Sequence, residues 1–385
     1  MILSRDRILT THVGSLPRNE TLSNLLMSQE AGESYDKQLM DNELNKAVRH
    51  VVDEQKKAGI DIGNDGEQQR VGFQTYIPQR MSGFGGVSQR RRGKEFEEFP
   101  ELVAYLMRRF PHMTKGQQGA PEAQKEIRYL DTKPLENEIA RFKKITDEAK
   151  AFSEQFMTAP SPGIIAAACR NEHYDTERAY LRALGEALRH EYEAVVNAGF
   201  VLQLDCPDLA LEHHVSFHEA GEAKFLKFVE GVVETLNEAI RNIPPDRVRM
   251  HVCWGNYEGP HHRDVPLADI VDIVFMAKPQ AISLEGANPR HAHEYTVFDT
   301  VKLPDGKVLI PGVLESKSNF IEHPELIAQR IGRYAERVGR ENVMAGSDCG
   351  YGTWVGQAAV DPQVVWAKLA AMAEGARIAT KRFWK

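Results

Sequence analysis

The run RMHVCWGN, from Arg249 to Asn256, sets His251 two residues before Cys253 in a stretch that otherwise reads as a strand. Successive strand side chains alternate between faces, so the imidazole and the thiol point to the same side. Two readings account for that: a buried face that tolerates a histidine, or half of a metal site. Cys349 in GSDCG and Glu285 in ISLEG supply candidates for the other half, each at the end of another apolar run. A His/Cys/Glu/Cys set combines soft and borderline ligands in the number that tetrahedral zinc takes. The chemistry would be thiol activation. A free alkyl thiol is mostly protonated at neutral pH, whereas bound zinc deprotonates a coordinating thiol. Two cysteinates, a carboxylate and a neutral imidazole leave the site slightly negative, which keeps a substrate sulfur nucleophilic. Glu285 is the hard, weak ligand of the four and is expected to loosen when a thiol enters.

Collecting such residues requires a scaffold that gathers strand ends. Short β-rich runs begin at Ile8, Gly59, Met157, Gly199, Arg247, Gln280, Val308 and Asn342, and most gaps between them carry amphipathic helical periodicity. Gly59 and Gly199 close two of these helices as C-terminal caps. Eight alternating units predict an α/β fold, a (β/α)8 TIM barrel with a long insertion after the second strand. An open doubly wound sheet is the alternative on counting alone. Polar residues favour the barrel: Gly14-Ser15, Asp65 and Glu67, Ser161, Asp205, His251 and Cys253, Glu285, Glu315 and Asp348-Cys349 all fall at strand ends, the rim where barrels carry function. We expect residues 1–385 to form one catalytic domain, with residues of about 68–155 as an arm folded over the barrel mouth.

Composition bounds the function. The 385 residues are 42% hydrophobic and 27% charged, with a formal net charge of −7. That balance offers no nucleic-acid footprint, and the one basic run, QRRRGKE from Gln89, reads as a solvated loop. No apolar stretch is long enough for a membrane helix, and the opening MILSRDRILTTH lacks the apolar centre of a signal peptide. A cytoplasmic location is expected. Four cysteines are too sparse for a disulfide framework. Cys206 and Cys169 read as core residues, and the pairs His213-His214 and His261-His262 as solvated or substrate-facing. His291 and His293 are candidates for contacts around Glu285. Lys317 reads as a proton donor or a salt-bridge partner.

The motifs TTHVGSLPR, GNDGE, LQLDCPD, MHVCWGN, ISLEGANPR, PGVLESKSNFIEHPE and GSDCGYG together resemble the cobalamin-independent methionine synthase family, in its C-terminal catalytic barrel. The resemblance covers essentially the whole chain, with the motifs in order. It implies zinc held by His251, Cys253, Glu285 and Cys349. It also implies methyl transfer to homocysteine through a zinc-bound thiolate, with Glu285 and Lys317 at the reacting centre. The substrate carboxylate falls to Val13, Gly14 and Ser15, with Arg18 just beyond, and the ammonium to Glu67 and Asp205. Departures bear on the methyl donor. The tryptophan expected to stack on folate has no counterpart after TAPSPG, and ESKSN replaces the expected proton-donating histidine, with Ser316 or Lys317 near its place. The donor is therefore left open among folate, a corrinoid and an epoxide. The short single-barrel pattern also resembles the epoxyalkane:coenzyme M transferases, whose sulfonate would meet Arg18 or backbone donors. Partners are expected to be small molecules, with no nucleic acid or membrane, and a homo-oligomer is compatible with this.

Overall fold

The computed structural model describes residues 1–88, 90, 93–109, 120–356 and 358–384. Among them the strands are β1 (Ile62–Gly63), β2 (Met81–Gly85), β3 (Glu122–Tyr129), β4 (Glu154–Pro160), β5 (Val201–Asp205), β6 (Val248–Val252), β7 (Ala281–Leu284), β8 (Val308–Leu314) and β9 (Gly346–Ser347). Seven form one parallel sheet in the order β1-β4-β5-β6-β7-β8-β9. Its ends are joined by the chain around Thr10. Ala345 N donates to Leu9 O at 2.8 Å, Thr11 N to Ala345 O at 2.9 Å, and Ile62 N to Thr10 O at 3.1 Å. Residues 9–11 are thus the eighth stave, and the sheet is a closed barrel.

Burial dictates this arrangement. Every residue of β5, β6, β7 and β8 is buried, and each Val, Leu, Ile or Met withdrawn from water contributes about 1.5–3 kcal/mol. A one-residue slip would turn those side chains around, so the apolar runs fix the register and carry the polar strand ends to one rim. Inside the barrel Arg249 is 1% exposed. Its guanidinium donates to Gln203 Oε1 at 2.7 Å, Thr11 Oγ1 at 2.8 Å and His12 O at 2.6 Å, and lies 3.4 Å over the Phe156 ring. A buried cation is tolerated there because its hydrogen bonds are made. Burial nonetheless lowers its pKa to about 9.

The helices form the outer layer. Asp36 caps Lys37–Ala58 by accepting from Gln38 N and Leu39 N, and Gly59 ends it at φ 82°. The connection between β1 and β4 holds the β2–β3 antiparallel hairpin and the helices Lys94–Glu98 and Pro100–Arg109. Its last helix, Lys133–Ala149, packs against Lys37–Ala58 and Glu177–Asn197 and so belongs to the outer ring. The preceding segment is pinned to the barrel by a buried ionic cluster. Arg70 pairs with Glu138 at 3.0 Å and Arg80 with Glu191 at 3.2 Å, while both guanidiniums lie 4.3 Å from the Tyr76 ring centroid. Arg70 also donates to Thr158 O at 2.9 Å, at the end of β4.

Further along, Tyr257 Oη donates to Glu95, His262 lies 2.7 Å from Glu98, and the Phe96 and Tyr257 rings are 5.2 Å apart. Helix Lys94–Glu98 therefore rests on the loop that follows β6. Of the basic run, Gln89, Arg91 and Arg92 lie outside the described residues. Arg90 forms an ion pair with the fully buried Glu212, which corrects the solvated reading for that residue. No helix among the described residues is long and apolar enough to cross a membrane.

Candidate metal centre and substrate pocket

Strand register assembles the centre. Asp205 pairs with His251 across β5 and β6, and His251 with Ser283 across β6 and β7. Two residues on, Cys253 and Glu285 leave their strands on the same side, while Cys349 follows β9. His251, Cys253 and Cys349 are buried, and each presents a donor atom within 4.8 Å of the other two. The two Sγ atoms are 3.6 Å apart. That is too long for a disulfide of about 2.05 Å. It is close to the edge of about 3.8 Å that tetrahedral Zn–S bonds of about 2.3 Å imply. His251 Nδ1 lies 3.2 Å from Ser283 Oγ, and Nε2 is buried with no partner. Leaving a ring nitrogen unpaired beside two thiols is costly, and a cation among the three donors would satisfy it. These residues fit zinc.

Electrostatics agrees. Hydrogen bonding with Cys253, and next the neighbouring His251, pull the Cys349 thiol down to about 5 against the effect of burial. The partner Cys253 is pushed up by its bond to Cys349 and by burial. Of the two thiols Cys349 is the more readily ionised. Burial opposes a charge on His251, yet Cys349, Asp205 and Glu285 raise its pKa.

Glu285, expected as the fourth ligand, stands beside the three donors and is engaged elsewhere. Trp254 N donates to Oε1 at 2.9 Å, and Asn288 Nδ2 and Lys317 Nζ donate to Oε2 at 2.8 and 3.3 Å. Lys317 is a salt-bridge partner here. Burial works against its charge, but Glu285, Asp348 and the two cysteines outweigh it and raise its pKa. Such an ammonium is a poor proton donor near neutrality.

Asp348 organises the loop behind Glu285. Its Oδ1 accepts from Gly286 N and Ala287 N and its Oδ2 from Asn288 N, all at 2.8 Å, and Asn288 Nδ2 adds a fourth bond at 3.0 Å. Asp348→Ala should leave these donors buried and unpaired, destabilising the fold by about 2–4 kcal/mol. Because Asn288 also holds Glu285, the variant should lose metal more readily. Urea unfolding with a zinc-chelator competition checks both; an unchanged midpoint would remove Asp348 from this role.

The expected substrate residues line the neighbouring rim. Gly14 has φ 147°, and a Cβ there would lie 2.7 Å from Glu67 Oε1 and 2.8 Å from Thr158 Cγ2, so only glycine fits. Val13 N donates to Ser347 Oγ at 3.2 Å, and its carbonyl accepts from Gln203. Ser15 Oγ lies 3.5 Å from Thr353 Oγ1. Glu67 adopts φ 55°, uncommon for a side-chain-bearing residue. Its Oε1 accepts from Thr158 Oγ1 at 2.9 Å, while Oε2 is buried without a partner.

Asp205 accepts from Gln203 Nε2 at 2.7 Å. Burial, and next the charge of Glu67, push Asp205 up to about 8, so the two carboxyls are electrostatically coupled. Arg18 is committed: its guanidinium donates to Gly352 O and Glu67 O, both at 2.5 Å. Burial holds its pKa down to about 10.

The remaining histidines divide differently from expectation. His214 and His261 are buried, and with His291 they converge on Asp264, at 3.6, 2.9 and 3.0 Å. The solvated reading holds for neither. His291 also bonds Glu294 at 2.7 Å and stacks 4.4 Å from Trp254, next to Cys253. Burial opposes its charge, but Asp264 and Glu294 raise its pKa to about 9. His293 is exposed. Cys206 and Cys169 are buried and free, as expected.

Sequence reasoning missed Asn256, whose Nδ2 donates to Gly350 O at 2.8 Å and Thr353 Oγ1 at 2.6 Å, tying the loops after β6 and β9 together. It also missed the Phe73–Trp354 edge-to-face pair, with ring centroids 5.9 Å apart. Aromatic residues among glycines, in GFQTY and GYGTW, were the available signal.

Comparison with known proteins gives concordant results. The profile of a family described as "Cobalamin-independent synthase, Catalytic domain" matches residues 8–94. A methionine synthase of Saccharolobus solfataricus is 25% identical over 373 residues, covering 96% of this chain and 94% of its own. One from Sulfolobus acidocaldarius is 26% identical over 345 residues, covering 89% and 85%. The solved structure of a B12-independent methionine synthase from Shewanella sp. W3-18-1, in complex with selenomethionine, superposes with a TM-score of 0.72. It shares 19% identity over 98% of each chain, a likeness of fold.

Proposed function

From a chain that is a relative of the cobalamin-independent methionine synthases, we propose a zinc-dependent methyltransferase that methylates the thiol of homocysteine. The observation that carries this reading is the pairing of two sites on one rim. His251, Cys253 and Cys349 converge as metal donors, and on the neighbouring strand Asp205, coupled to Glu67, offers carboxyls to an ammonium. Zinc held by those donors would supply a thiolate at neutral pH. Glu285 is the fourth candidate ligand, and the protein's own residues do the rest. Glu67 and Asp205 would orient the amino group. Gly14 would let the substrate approach the backbone closely, and Ser15 would receive the carboxylate. Arg70 and Thr158 hold Glu67 in position.

One domain spanning residues 1–385, with the segment after Glu67 resting on the barrel mouth, completes the reading. A cytoplasmic setting accords with four free cysteines. The commitment of Arg18 to two carbonyls favours an amino-acid thiol over a sulfonate.

The experiment is a donor and acceptor screen on zinc-loaded protein, following free thiol and product. Methionine formation from homocysteine with a methylated folate or corrinoid is the expected result. Turnover of an epoxyalkane with coenzyme M, and none of homocysteine, would replace this reading with the epoxide-opening one.

A further inference from the structure

Glu285 is held by three donors that have no need of a metal: a backbone amide, an amide side chain and an ammonium. Lys317 is the charged member of that set. Its side chain is 12% exposed and its Nζ reaches a carboxylate that is 1% exposed. The placement is built, since Glu315 accepts from Lys317 N at 2.6 Å and from Ser318 N at 2.7 Å, folding the loop after β8 so that Lys317 faces inward. Asn288, in turn, is fixed by Asp348.

We propose that Lys317, with Asn288 and Trp254 N, forms a seat for Glu285 off the metal. Lys317 is thereby the positioning residue that receives Glu285, the weak ligand, as the substrate thiol enters. This rests on the zinc methyltransferase reading above.

Charge explains why such a seat is needed. A divalent zinc with two cysteinates and a neutral imidazole is uncharged, and a substrate thiolate leaves one excess negative charge. Retaining Glu285 as well would leave two in a buried site, where unpaired charge is expensive. If Glu285 moves onto Lys317 the pair is neutral and stays hydrogen-bonded. Such an exchange would balance: the sulfur would take the position that the Glu285 oxygen gives up, the thiol proton would pass to bulk water, and nothing would be oxidised or reduced. Neither a structural zinc nor a proton-donating lysine requires this arrangement.

The test uses the full chain loaded with cobalt(II) in place of zinc. Homocysteine uptake is followed by sulfur-to-cobalt charge-transfer absorbance, and zinc affinity by competition with a chromophoric chelator. Lys317→Met should weaken homocysteine uptake about tenfold or more and tighten zinc in the thiol-free protein, because Glu285 has lost its alternative partner. Lys317→Arg, which keeps the charge, should restore uptake to within about threefold. Uptake by Lys317→Met that is unchanged or stronger, or zinc binding that is unchanged or weaker, would overturn the proposal. If Lys317→Met fails to fold, Asn288→Ala removes another donor from the same seat and is judged by the same criteria. A wild-type protein that takes up metal and homocysteine keeps the functional reading whatever the variants do. One that takes up neither sinks both.

Discussion

Replacing Cys349 by alanine is expected to strip zinc from the protein and abolish turnover while leaving the barrel folded. Cys349 lies just after β9, and the ladder there is made by the backbone of Gly346 and Ser347, which needs no thiol. Its side chain, by contrast, carries the centre's negative charge, since its pKa is drawn down to about 5. Even structural zinc in zinc-finger peptides binds with only about 10–16 kcal/mol, distributed over four ligands. Losing the thiolate should therefore reduce metal content from one per chain to below about a tenth after dialysis against a weak chelator.

Turnover should fall at least about thirtyfold from ionisation alone, because a free thiol of pKa about 8.5 is only about 3% thiolate at pH 7. It should fall further because the thiol is no longer held in place. Cys253→Ala should behave the same way. Cys206→Ala is the control: that thiol is fully buried on Leu204 O, remote in role from the metal, and its loss should leave zinc unchanged. The pH dependence has a definite sign. Metal binding must displace the proton kept by Cys253, so affinity should fall as the pH is lowered from neutrality, and more steeply below about 5, where Cys349 is protonated as well. Elemental analysis beside thermal unfolding decides the matter, and a Cys349→Ala protein with full zinc and full turnover would show the site to be wrongly placed.

The same residues illustrate what a sequence discloses. His251 and Cys253 were legible because period-two alternation is a local rule, and Asp205, Glu285 and Cys349 because apolar runs ending in a polar residue mark one barrel rim. The engagement of Glu285 was not legible, since Trp254 N, Asn288 and Lys317 reach it from three separate loops. Strand lengths were overestimated for a physical reason. Around the first stave Thr10 N donates to Asp61 Oδ2 at 2.9 Å and Thr10 Oγ1 to Gly59 O at 3.1 Å, while Val13 N donates to Ser347 Oγ. Side chains make bonds there that a longer ladder would have given to backbone, so β1 and β9 are only two residues long. His214 and His261 misled differently. Adjacent histidines do point apart, but a buried carboxylate, Asp264, was the sink that drew in one member of each pair, and nothing in the local pattern announces it.

Asp205→Asn is expected to weaken homocysteine binding strongly while barely affecting a plain mercaptoalkane. Asp205 is buried and coupled to Glu67, which is why its pKa is raised from 3.8 to about 8, burial being the larger cause and Glu67 the next. In the empty pocket at neutral pH it therefore holds a proton. On the proposed reading an arriving ammonium would expel that proton and sit between the carboxyls, and removing one of them should cost about 2–5 kcal/mol, roughly thirtyfold to several-thousandfold in affinity.

The linkage supplies two further signatures. Homocysteine affinity in the wild type, measured relative to the mercaptoalkane so that thiol ionisation cancels, should rise with pH up to about 8 and then level off; in the variant that rise should be missing. Stability should move the other way. A folded-state pKa above the unfolded value stabilises at low pH and loses that contribution as pH rises through the folded value, here about 8. The substrate-free variant should accordingly gain on the wild type in unfolding midpoint between about pH 4 and pH 8, because asparagine has no proton to give up. A thiol titration on both proteins, repeated across pH, tests the two binding signatures, and thermal unfolding across the same range tests the third. Equal losses for the two thiols, or tight binding of coenzyme M by the wild type, would transfer the pocket to a substrate without an ammonium, and with it the assignment of Glu67 and Asp205.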